Sequence, residues 1–228
     1  MDYLFDSMMT YILLIVAMIF SLYASYNVNS TFKKYSRVNS SRGQTAAEIA
    51  RQILDSNGIY DISVVPVAGN LTDHYDHRKK IIALSETVHD STSVGAIGVA
   101  AHEVGHAIQY AKGYLPIKIR MTILPIAQFG SQVWFLLFLM GIFFSLPVLR
   151  NIGIILFAAI ALFQLVTLPV EFNASNRAIK TIENQGILYG DEVRGARKTL
   201  NAAAMTYVAA LALSLTQLLR LITATRRR

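Results

Sequence analysis

Four apolar runs divide this chain, and each is about as long as a bilayer's hydrocarbon layer is thick. A helix rises ~1.5 Å per residue, so about 20 mainly apolar residues cross a core of ~30 Å. Runs of that length fall at about 3–26, 121–144, 151–170 and 203–222. They explain why only 15% of the residues are charged, where a soluble domain carries about 25%. The expected organisation is an anchor over 1–26, a polar segment over 27–120 and a transmembrane hairpin over 121–171. A polar helical loop over 172–202 and a fourth span with a basic tail over 203–228 complete it. The first run begins with Asp2 and Asp6 and lacks a basic start and a small-residue cleavage site, so it reads as a retained anchor.

An even number of spans puts both polar segments on one side. They hold sixteen of the 21 basic residues, and the positive-inside rule assigns that side to the cytoplasm. The terminal Arg226, Arg227 and Arg228 argue the other way, and one short tail is outweighed by two basic loops. The net charge of +7 lies beside apolar runs and among acids, which indicates a lipid surface as partner and not nucleic acid. With no cysteine, any metal site must be built from His, Asp or Glu.

The first polar segment carries its own local signals. Thr45-Ala-Ala-Glu48 is a capping-box pattern and Asn57-Gly58 a stop, predicting a helix over 45–56. Residues 62–67 and 80–84 are short β-prone runs. Ser91, Thr92 or Ser93 can cap a second helix that Lys112-Gly113 closes. The fold class is thus α+β, mainly α.

That second helix contains His102-Glu-Val-Gly-His106. Two imidazoles four residues apart stack on one helix face, within reach of one tetrahedral zinc. Glu103 follows the first His, where it can take a proton from a water activated by the metal. The bland alternative is a pair of surface histidines beside an ordinary Glu. A third ligand is needed. The tight-spaced class with a Gly seven and a His ten residues after the first His fails, because Gln109 and Lys112 occupy those positions. The leading candidate is Glu171, which closes the third apolar run; an ionisable group there usually has a partner or a task. Glu183, Asp191 and Glu192 are rivals, but they lie among Arg and Lys.

His102–His106 with Glu171, the preceding Leu71-Thr-Asp-His-Tyr-Asp76, and Ile82-Ala-Leu-Ser-Glu86 together resemble the YugP-type membrane zinc metallopeptidases. The resemblance covers most of the chain and is more distant to the gluzincins, including HtpX-like membrane peptidases. It implies one zinc per protomer held by His102, His106 and Glu171, with Glu103 as general base. It also implies a strand near 81–85 that aligns an extended substrate by strand addition. One departure stands out. Soluble gluzincins often carry an Asp four residues after the ligand Glu to orient a zinc His, and this chain has Ser175 there, with Asn173 and Asn176 nearby. The partners of the zinc histidines are therefore expected to differ.

His74, Tyr75, His77 and Arg177 are candidates for stabilising charge on a substrate oxygen, with His74 and Tyr75 favoured by their position in the family-like stretch. A loop surface or a structural hydrogen bond is the alternative for both. The expected activity is that of a membrane-embedded zinc endopeptidase acting on peptides or membrane proteins. Two other classes remain open. One is an intramembrane metalloprotease, although residues 93–111 are too polar to span and no Asp-Gly is present. The other is a membrane scaffold or chaperone with a structural metal.

Overall fold

The computed structural model describes residues 2–225, with side chains from Met8 onward, so the Arg226–Arg228 tail lies outside the described residues. The chain is mainly helical with one small sheet: α1 (Asp2–Tyr35), α2 (Ala46–Ser56), β1 (Ser63–Val67), β2 (His74–Asp76), β3 (Ile81–Ser85), α3 (Val94–Ala111), α4 (Leu115–Phe143), α5 (Pro147–Asn184) and α6 (Asp191–Thr225). Four helices are long and apolar enough to cross a membrane: α1 from Met8, α4, α5 and α6. All four outrun their apolar stretches. At 38 residues α5 is ~57 Å long, nearly twice the hydrocarbon thickness. The polar segment over 172–202 is therefore two helix ends joined by a short turn at 185–190.

Two compact units result. One comprises the chain up to Ser25, Lys118–Leu168, and the chain from Thr206 onward. In it α4 and α5 form a close hairpin through small residues: a Cβ on Gly153 would lie 2.7 Å from the Trp134 carbonyl oxygen. The Trp134 ring then packs 4.5 Å from that of Phe157.

The other unit, Tyr26–Ile117 with Pro169–Met205, carries the candidate chemistry. Helix α2 starts at a complete capping box: Thr45 Oγ1 accepts from Glu48 N–H at 3.2 Å, and Glu48 Oε2 accepts from Thr45 N–H at 2.8 Å. Its apolar face buries Ile49, Ile53 and Leu54, which share a core with Ile82, Leu84, Ile97, Val104 and Ile182. Helix α3 starts at Ser93, whose side chain accepts from Ala96 N–H, and gives way at Lys112 to Gly113 at φ +66°, a conformation that favours glycine.

The sheet order is β1-β3-β2, with β1 parallel and β2 antiparallel to β3. This corrects one expectation. The strand at 81–85 is central: β1 pairs along all of it and β2 covers Ile81–Ala83 on the other side, so it is not a free edge for an added chain. The edge on the α3 side is β2, where the rings of Tyr75 and Tyr110 meet at 6.3 Å. The opposite edge, β1, contains Pro66, which lacks a backbone donor and is tolerated at an edge. Strand β2 escaped the sequence reading because three residues make no apolar run. Its position comes from pairing with β3 and from Asp73, whose Oδ1 accepts from the Ser85 N–H at 2.7 Å and from its hydroxyl at 3.1 Å.

Candidate metal centre

Helix α3 is rich in small residues, and this governs how closely α5 can approach. A Cβ on Gly105 would lie 2.7 Å from the Ala174 carbonyl oxygen, so the two backbones touch between the two histidines. Glu171 lies three residues before Ala174 and Ser175 one after it. That contact brings both side chains over the His102–His106 face.

The donors converge. His102 Nε2 is 3.2 Å from Glu171 Oε2, and His106 Nε2 is 3.6 Å from the same oxygen. One ligand atom from each of the three residues can be chosen so that all lie within 4.8 Å of one another. Zinc bonds of ~2.0–2.1 Å in a tetrahedron place adjacent donors ~3.3–3.4 Å apart. The two histidine–carboxylate separations bracket that edge, and two imidazoles with one carboxylate are a donor set zinc accepts. Among the described residues no further His, Cys, Asp or Glu joins the group. Three protein donors are the number a catalytic zinc uses, where a structural zinc takes four.

Each imidazole is held from behind. His102 Nδ1 is 3.1 Å from Ser175 Oγ, and His106 Nδ1 is 3.1 Å from Gln109 Oε1. With a metal on Nε2, Nδ1 would carry the proton and donate to Ser175 Oγ and to Gln109 Oε1, which would fix tautomer and ring angle. Gln109 is fully buried, and its amide donates to the Val170 carbonyl at 2.8 Å and to Asn173 Oδ1 at 3.0 Å. Arg177 Nε donates to the same Asn173 oxygen at 2.7 Å. Ser175 thus lies beside His102 at the position where soluble gluzincins often carry an Asp, so the partner differs as expected. Gln109 was noted in the sequence only as the position lacking a Gly; its spacing of three from His106 was the available signal.

Glu103 is buried at 8% exposure, beside His102 in α3. His74 lies on the surface, its Nδ1 2.9 Å from the Thr72 carbonyl, and is not in the three-residue group. Tyr75 is half-buried against the core, and burial followed by the nearby Tyr110 pushes its phenol up to about 12, so it stays a donor at neutral pH. The His77 ring lies 5.0 Å from that of Tyr110. The rivals of Glu171 are engaged elsewhere: Glu183 with Arg197, Asp191 with Arg194, and Glu192 with the Ser41 backbone.

Residues 10–226 match the family described as "Putative neutral zinc metallopeptidase". The chain is 50% identical over 210 residues to "Putative membrane protease YugP" of Bacillus subtilis (strain 168), an alignment covering 92% of this chain and 93% of that protein. No solved structure matches. This chain belongs to the family so described, and within it is similar to the Bacillus protein so named.

Proposed function

We propose that the protein is a membrane-embedded zinc endopeptidase in which His102, His106 and Glu171 hold one zinc per protomer and Glu103 is the general base. The reading is carried by the three converging donors whose two imidazoles are each oriented through Nδ1. Zinc held there would supply Lewis acidity, acidifying water and polarising a peptide carbonyl. Glu103 takes the proton from the attacking water and passes it to the leaving amine. Tyr75, protonated and on the strand beside α3, is the stronger candidate for donating to the carbonyl oxygen as charge develops; His74 is the alternative on the same strand. The substrate lies extended along β2, whose outer edge pairs with no other strand among the described elements.

The test needs no substrate. Detergent-purified protein should contain about one zinc, and His106→Ala and Glu171→Gln should lose it. Gln109→Ala should weaken it roughly 10–100-fold in competition with a chelating dye. A Glu171→Gln variant of unchanged affinity would remove the third ligand from this reading.

The four spans and the basic loops support an arrangement with residues 27–120 and 172–202 in the cytoplasm. Because the chain has no cysteine, Tyr60→Cys at a 76% exposed position gives a single label site. A membrane-impermeant maleimide should label it only after cells are permeabilised. Labelling of intact cells would reverse the orientation.

A further inference from the structure

The unit of Tyr26–Ile117 with Pro169–Met205 contains a second polar site, formed where α1 leaves its apolar run and α6 enters its own. A cavity of about 310 Å³ is lined by Asn27, Thr31, Lys34 and Tyr35 from α1 and by Lys198 and Asn201 from α6. The α1 residues recur at intervals of four, three and one, and those of α6, with Ala202 and Met205, at three, one and three, so each set lies on one helix face. Lys34, Lys198 and Asn201 are exposed and Asn27, Thr31 and Tyr35 partly so, which makes the site an open groove between the two helices. These side chains carry two ammonium groups, two amides, a hydroxyl and the phenol of Tyr35. No acidic residue lines the cavity, and among the described residues neither lysine has a carboxylate within ion-pair range. Lys34 Nζ rests 5.6 Å from the Tyr35 ring centroid.

We propose that this cavity binds the phosphate group of an anionic ligand. Lys34 and Lys198 supply the charge from two sides, and Asn27, Thr31 and Asn201 supply neutral hydrogen-bonding groups. Chain position favours a lipid headgroup as the source: the apolar run of α1 ends one residue before Asn27, and that of α6 begins two residues after Asn201. Lysines at such a level attract anionic headgroups, and the apolar side of the cavity, at Ala202 and Met205, is compatible with the start of an acyl chain. The site also adjoins the metal-bearing helix. The backbone of Tyr35 and Ser36 lies 3.2–3.4 Å from where a Gly95 Cβ would sit, and the Tyr35 ring packs on Gly195. The first turn of α3 is therefore seated on a residue that lines the cavity. None of this depends on the peptidase reading.

The experiment follows thermal unfolding of the full chain in nanodiscs of phosphatidylcholine alone or with phosphatidylglycerol, and in detergent with inorganic phosphate. Phosphatidylglycerol should raise the midpoint by roughly 3–6 °C. Lys34→Gln combined with Lys198→Gln should abolish most of that rise, and the corresponding pair of Arg substitutions should keep it. Lys33→Gln combined with Lys79→Gln removes as much charge outside the cavity and should leave it intact. A rise with inorganic phosphate that needs the same two lysines would assign the site to free phosphate; its absence beside the lipid effect would assign it to the headgroup. No rise in any arm, or equal losses in the two Gln pairs, would overturn the proposal.

Discussion

Glu103→Gln should lower peptide hydrolysis by roughly 10²–10⁴-fold, the range typical of a lost general base, while zinc content stays at the wild-type value. The amide keeps the size of the carboxylate and can still accept a hydrogen bond, but it cannot carry a proton from water to the leaving amine. Glu103 is not among the three converging donors, so the metal has no reason to leave. Cleavage of a labelled, unfolded soluble protein and zinc content should be measured on the same preparation. This pairing separates the competing classes. A scaffold with a structural metal would be indifferent to the substitution, and a site within the bilayer would not cleave the soluble protein even as wild type. Turnover that survived both Glu103→Gln and chelation would end the metallopeptidase reading of this centre.

The second large effect is expected at a residue with no chemistry of its own. Gly105→Ala puts a methyl 2.7 Å from the Ala174 carbonyl oxygen, inside any contact distance a carbon tolerates, and both partners are helix backbone. Helices α3 and α5 must part. Overpacking of this kind costs about 1–3 kcal/mol. The functional loss should be larger, because Glu171 and Ser175 move with α5 while the histidines stay on α3. Zinc affinity should fall roughly tenfold or more, as when a partner that orients a ligand is lost. Gly98→Ala is the matched control: its Cβ would meet Ala196 at 3.4 Å, and it gains about 1 kcal/mol of helix propensity. Thermal unfolding of metal-free protein and zinc competition should therefore separate two Gly→Ala changes seven residues apart on one helix. Equal behaviour would mean that the α3–α5 approach does not control the centre.

Features written into short stretches of chain were the legible ones. The capping box at Thr45 and Glu48, the four-residue spacing of His102 and His106, and the stop at Lys112-Gly113 each express a rule spanning one or two helical turns. Glu171 was legible for a different reason, since a carboxylate ending an apolar run is conspicuous. The helix ends were not, because hydropathy reports which residues suit lipid and says little about where helical hydrogen bonding stops. Thus α5 runs on to Asn184 well past its apolar stretch. The bond from His102 to Ser175 and the link from Gln109 to Val170 join residues 73 and 61 positions apart and exist only once α3 and α5 have packed, and β2 is defined only by its partner β3. The central position of β3 belongs to the same class.

Strand β2 is only three residues long, and this bears on what the enzyme would select. An edge that short offers two or three main-chain hydrogen bonds, too few to pull a segment out of a folded partner. A polypeptide held there must arrive already extended and unpaired. Discrimination at such an edge would act on the conformation of the bound segment before the identity of its residues.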